Sequence, residues 1–318
     1  GEAYVPLHFL DSVFASMRDL SGLSSLHLSN IKLGQYLRTV YTTPSADDSG
    51  RRRFAASGLW FLPSTVTVLD LSHNDICPQG LEVLSEVLAS EVCMLTLVSL
   101  SFEGNHRLLG GVVATNDPPR EAQMLTYCHH LAGCLSRIVA RHASTLRALN
   151  LGETYMRDVC VDVLFGAQDT DGSSIPTRLK SLSLRNNPAL THPANGVIAN
   201  IGRMSMLQTL DLGDCDGLDA HWCQSLVLAV SESCSALHSF TLWSRTADLA
   251  TGVLPAILDW AGKSPALRFV DLGLPLPWGT NPESVSDAVL RVNELAAYSE
   301  ELESTLLKNR VAMSMSLM

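Results

Sequence analysis

The sequence predicts an α/β solenoid, a curved stack of short parallel strands with helices on the convex side and a helical cap at each end. Three observations predict it. An apolar-x-x-apolar-x-apolar pattern recurs eight times between Leu23 and Leu274, and each copy is too short to bury its own apolar face without stacking on a neighbour. The last copies begin 28 to 30 residues apart, which leaves room for a strand, a turn and a helix in each. The 318 residues are 46% hydrophobic and 17% charged, an ordinary globular balance that excludes disorder, collagen and a coiled-coil rod.

Residues 1–22 form the expected N-terminal helical cap, with Leu7, Phe9, Leu10, Val13, Phe14, Met17 and Leu20 at helix-like spacing. The copies then begin at Leu23, Val66, Leu97, Leu146, Leu179, Leu207, Leu237 and Leu267, in steps of 43, 31, 49, 33, 28, 30 and 30. The two long steps predict inserted loops at 42–58, which holds the Arg51-Arg52-Arg53 triplet, and at 104–123, with a shorter excursion at 167–177. The basic triplet reads first as a solvated loop charge run. Helices are expected from Leu81, Leu84 and Leu88, from Trp222, Leu226 and Val230, and after Pro255, placed at a first turn ahead of Ile257, Leu258 and Ala261. Asn281 and Pro282 open a capping helix over 281–311, followed by a tail at 312–318. Its seam narrows beyond Ser299 to Leu302 and Leu306 among glutamates, so that end either docks on the last repeat or pairs with a partner helix.

The cleanest copy runs from Val66 through Leu69, Leu71 and Asn74 to Ile76. This pattern resembles the leucine-rich repeat family over about residues 23 to 274, with the helix-bearing spacing of its ribonuclease-inhibitor-like subclass, so about eight repeats are expected within 23–280. The resemblance implies parallel strands on a concave face and a last-position Asn that hydrogen-bonds the turn leaving each strand. Asn74, Asn105 and Asn187 match that position, Thr154 and Cys215 depart from it conservatively, and Ile31, Arg245 and Pro275 do not match.

On such a face the outward residues flank the leucines. The middle row reads His27, Asp70, Ser101, Asn150, Ser183, Asp211, Thr241 and Asp271, and the next reads Ser29, Ser72, Glu103, Gly152, Arg185, Gly213, Trp243 and Gly273. The preceding row is small apart from Phe269. Against this small, mildly acidic background Arg185, Trp243 and Phe269 stand out, with Trp278 just beyond, because Trp and Arg are enriched in binding hot spots. Asp70, Glu103, Asp211 and Asp271 complete the candidate partner-binding set. Solvated strand carboxylates, and rings lying under the C-terminal cap, are the plainer readings of the same residues.

The sequence holds no dinucleotide or phosphate loop, no His-Glu-x-x-His and no Gly-x-Ser-x-Gly. Cys128, His129, His130 and Cys134 lie close together, but on a helix the two thiols fall about 120° apart, and no second pair completes four zinc ligands. No cofactor or metal is expected. The net charge of −10 argues against nucleic acid. No apolar run is long enough for a membrane span. Eight cysteines without framework spacing point to a reducing, cytoplasmic setting. The expectation is a non-catalytic scaffold or adaptor that binds proteins through its concave face, rim loops or C-terminal helix as a subunit of a larger assembly. Two alternatives stand beside it: a GTPase regulator, since the Ran GTPase-activating proteins resemble this subclass at the level of the fold, and a passive component of a ciliary, cytoskeletal or ribonucleoprotein assembly.

Overall fold

The structure is a computed structural model that describes residues 7–42, 45–46, 52–53, 58–109, 118–166, 177–242, 247–272 and 300–310. After the opening helix α1 (Leu7–Met17), each repeat contributes one short strand. These are β1 (Ser25–His27), β4 (Val68–Asp70), β5 (Ser99–Ser101), β6 (Ala148–Asn150), β7 (Ser181–Ser183), β8 (Thr209–Leu212), β9 (Ser239–Leu242) and β10 (Phe269–Asp271). They pair only with sequence neighbours, all in parallel, in one eight-stranded sheet ordered β1-β4-β5-β6-β7-β8-β9-β10.

The register aligns like with like. Leu26, Leu69, Leu100, Leu149, Leu182, Leu210, Phe240 and Val270 face one another across successive strands, and all but Val270 are buried. Because side chains alternate along a strand, this row and the next inward row, Leu71, Phe102, Leu151, Leu184 and Leu212, enter one continuous core. Outer walls come from α2 (Leu33–Thr42), α3 (Pro78–Leu88), α4 (Pro118–Arg141), the single turn α5 (Asp158–Val161) with a π-helical turn after it, α6 (Asn195–Gly202), α7 (Ala220–Ser233) and α8 (Ala247–Lys263). Leu81, Leu84 and Leu88 on α3 and Trp222, Leu226 and Val230 on α7 are buried against the sheet. Asp219 caps α7 by accepting the Trp222 N–H at 3.0 Å.

Between strand and helix, the turns are held by a ladder of buried amides. Asn74 Oδ1 accepts the Ile31 and Leu33 N–H groups of the preceding repeat, while its Nδ2 donates to the Leu28, Leu71 and Ser72 carbonyls. Asn105 repeats the arrangement on Asn74 and Ile76. Asn187 accepts from Met156 and donates to Leu151 and Leu184. Thr154 and Cys215 keep only the donor half, to the Leu151 and Leu184 carbonyls. The neighbours of these rungs adopt left-handed backbone, His73 and Asp75 around Asn74 and Glu153 and Tyr155 around Thr154.

Several expectations change. Pro255 lies inside α8, eight residues after its start, and not at its first turn. It is on the exposed side of the helix, where the loss of one backbone donor is cheapest. α4 begins at Pro118, inside the expected 104–123 loop, since the Pro118-Pro119 pair suits a first turn where the N–H groups have no intrahelical partner. The 42–58 insertion contains a two-residue antiparallel ladder, β2 (Ser45–Ala46) with β3 (Arg52–Arg53).

Both ends are closed. Phe14 of α1 is fully buried beside Tyr36, and the Gly58 N–H donates to the Tyr36 hydroxyl at 2.8 Å. At the other end residues 300–310 are helical, with Leu302 and Leu306 buried in the core. Asn309 Nδ2 donates to the carbonyls of Ala261, Ser264 and Leu267 at 3.0 to 3.2 Å. This stretch therefore docks on the last repeat. The earlier part of the expected helix lies outside the described residues.

Candidate functional site

The parallel register turns the outward positions into straight rows across the sheet. In the middle row, a side-chain oxygen reaches forward to the backbone N–H two residues on. Asp70 accepts from Ser72 at 3.0 Å, Asn150 from Gly152 at 3.0 Å and Asp211 from Gly213 at 2.9 Å, with longer contacts from Ser101 to Glu103 and from Ser183 to Arg185. The residue two after each of these middle-row positions has its N–H outside the interstrand ladder, and an Asp, Asn or Ser oxygen satisfies it as in an Asx or ST turn. The recurrent small polar row is thus first a device for leaving the strand.

Charge is layered on that device. Asp70 Oδ2 also meets His27 Nδ1 at 3.3 Å. Partial burial pushes the Asp70 carboxyl up, but hydrogen bonds from the Ser72 hydroxyl, the Ser72 N–H and His27 together outweigh it and hold the carboxyl below its usual range. Glu103 Oε2 accepts from Asn150 Nδ2 at 2.9 Å, bridging β5 to β6. Arg185 reaches along the face to Asp214, with Nε and Nη2 on Oδ2 at 3.1 and 2.9 Å. Gly213 lies beside this span, and a Cβ there would stand 3.7 Å from the Arg185 Cγ. The arginine side chain is still 48% exposed. Phe269 is 46% exposed, a large ring on the last strand beside small neighbours.

The structure brings Asp70, Glu103, Arg185, Asp211, Phe269 and Asp271 onto one face. Trp243 and Trp278 lie outside the described residues. On the convex side Cys128 and Cys134 are buried in α4 while His129 and His130 are exposed, His130 facing Glu82 at 3.4 Å. All eight cysteines are free, buried thiols, and burial raises those of Cys215, to about 12, and Cys234, to about 11. Among the described residues no group of three His, Cys, Asp or Glu could hold a metal ion, and no helix is long and apolar enough to cross a membrane.

Sequence reasoning did not single out an open polar cavity of about 330 Å³ at the strand-exit rim, lined by His192, Asn195, Asp219, His221, Trp222 and Ser225. The loop forming one wall is pinned by Asp158, which accepts from the Thr191 N–H and hydroxyl and from the His192 N–H. Ser225, two imidazoles and a carboxylate share this cavity, but among the described residues neither imidazole is hydrogen-bonded to Ser225 or to Asp219, so no nucleophile and base are paired.

Residues 63–85, which span β4, its turn and most of α3, match the family model described as Leucine Rich repeat. Comparison with curated proteins finds no match. Among solved structures the chain is similar to one in the crystal structure of the Rad7 and Elc1 complex in yeast, at 16% identity, covering 84% of this chain and 82% of that one with a TM-score of 0.33. It is also similar to the leucine-rich repeat-containing protein LegL7 from Legionella pneumophila, at 14% identity, covering 96% of each with a TM-score of 0.33. The eight in-register strands and the asparagine rungs define the fold, a strand-and-helix solenoid of leucine-rich-repeat type, and residues 63–85 carry the matched repeat.

Proposed function

We propose that the protein is a non-catalytic scaffold or adaptor that binds another protein across the concave sheet, as a subunit of a larger assembly. The observation that carries this reading is the alignment of outward side chains into continuous rows on a sheet whose backbone is fixed by the amide ladder. Contact residues held in place before binding lose little ordering entropy on association. Arg185 and Phe269, together with Trp243 as read from the sequence repeat, are the proposed anchors, and Asp70, Glu103, Asp211 and Asp271 the polar surround. The free thiols support a reducing, cytoplasmic setting. No observation on the described surface favours GTPase regulation or a purely passive structural role.

The test is affinity capture from native extract with wild-type protein and with Phe269→Ala combined with Trp243→Ala. The double variant is expected to lose its partner by more than about 2 kcal/mol while melting nearly as wild type. Lost stability with the partner retained would assign those rings to the cap instead.

A further inference from the structure

The strands also continue backwards by one residue. The Lys180 N–H donates to the Arg147 carbonyl, Gln208 to Lys180, His238 to Gln208 and Arg268 to His238, at 2.7 to 3.0 Å. These five positions therefore form a row along the leading edge of the sheet, spanning about 19 Å at the usual strand spacing, and three of the five, Arg147, Lys180 and Arg268, are Arg or Lys. Arg178 joins them. Its Nη1 and that of Arg147 both donate to the Ser144 carbonyl, at 3.4 and 3.3 Å, so two guanidinium groups converge on one oxygen. Arg310, from the C-terminal cap, donates its Nε to the Arg268 carbonyl at 2.8 Å and extends the row past the last strand.

This concentration occurs in a chain of net charge −10. Ion pairs among the described residues join His27 to Asp70, His130 to Glu82, Arg185 to Asp214 and Lys263 to Asp259. None of Arg147, Arg178, Lys180 and Arg268 is among them. The carboxylates of the face collect at the opposite end of the strands, at Asp70, Glu103, Asp211 and Asp214, about 10 Å away for a three-residue strand. That separation slightly exceeds the screening length at physiological salt, so the two edges present distinct fields to a partner.

We infer that the leading edge from Arg147 and Arg178 through Lys180 to Arg268 is a docking strip for an acidic segment of a partner protein. This rests on the protein-binding reading and adds the partner's chemistry and its orientation. A narrow polypeptide presents carboxylates about 5–7 Å apart, in helix or strand, and can follow one edge. Duplex DNA carries a charge every 1.7 Å or so, and its breadth would bring phosphates over the acidic edge of the same face.

The test uses the full chain and three labelled probes, an alternating Glu-Ala peptide, a Lys-Ala peptide of the same length and a single-stranded oligonucleotide of matched charge, read by fluorescence anisotropy. The Glu-Ala peptide is expected to bind best, and Arg178→Glu with Lys180→Glu to weaken it at least about tenfold. Should the charge reversal unfold the chain, Arg178→Gln with Lys180→Gln makes the same comparison, with a smaller loss expected. No preference for the acidic peptide, tighter binding of the oligonucleotide, or undiminished binding by a folded edge variant would each overturn the inference. Leu228→Ser, at an exposed position on the convex helix α7, should leave peptide binding unchanged. If Phe269→Ala with Trp243→Ala keeps the captured partner while edge variants lose the peptide, the concave reading fails and the edge stands.

Discussion

Asn105 holds the backbone of Asn74, with its Oδ1 accepting the Asn74 N–H at 3.1 Å and the Ile76 N–H at 3.0 Å, and its Nδ2 donating to the Leu71 carbonyl at 3.0 Å. One fully buried amide thus satisfies three backbone groups of the preceding repeat. Asn105→Leu would leave them unpaired in a dry interior, where each orphaned group costs about 1–3 kcal/mol. Urea unfolding should show a loss of about 3 kcal/mol or more, against under about 1 kcal/mol for a polar substitution at exposed His106.

Gly104, next to that rung, has φ +70, and a Cβ there would clash with the His73 ring at Nδ1. Gly104→Ala is expected to lower the melting midpoint by the equivalent of about 1–3 kcal/mol. Adding His73→Ala should restore only part of it, because removing the ring relieves the clash but not the left-handed backbone.

His142 is 2% exposed, with Nδ1 accepting from the Leu97 N–H at 3.4 Å and Nε2 meeting the Leu88 carbonyl at 3.2 Å. Burial pushes its imidazole down to about 4, against a modest upward pull from the Leu88 hydrogen bond. Between pH 6.5 and 4 the unfolded chain binds a proton that the folded chain refuses. Stability is therefore present above 6.5 and falls with pH through that window, by up to about 3 kcal/mol. Denaturant titrations at stepped pH should show the slope, and His142→Gln should flatten it. The low carboxyl of Asp70 acts in a separate window, losing its contribution only as pH drops below about 3.8.

The Arg185 to Asp214 pair is 48% and 30% exposed, so solvent screens it. Asp214→Asn should change stability by well under about 1 kcal/mol. It removes the carboxylate that holds the Arg185 guanidinium, and partner affinity is expected to shift without a change in melting.

The repeat period was legible because every inward position is set by the same need, to fill a layer between two strands: Leu69, Leu100, Leu149, Leu182 and Leu210 occupy equivalent places and are buried alike. The asparagine rungs were legible for the same reason. Residues acting through single, non-repeating contacts were not. His142 binds two backbone groups 45 and 54 residues away, and nothing around it in the sequence marks it as buried. Pro255 reads in sequence as a helix start because its missing N–H suits a first turn, yet the helix passes through it on its exposed face. At the candidate site, Arg185 and Phe269 were found by size against small neighbours. The role of Asp70 and Asp211 in closing strand exits was not, since an Asx turn reads in sequence as a solvated Asp. The basic edge escaped notice because its members are separated by whole repeats and meet only in the register of the sheet.

Site-specific photocrosslinking in native extract tests the central claim most directly. A photoreactive residue replaces Ser101 or Ser183 on the concave rows, or the exposed Leu228 on the convex helix α7. The same partner protein should be captured from both concave positions and not from the convex one. Capture from position 228 with none from 101 or 183 would contradict it.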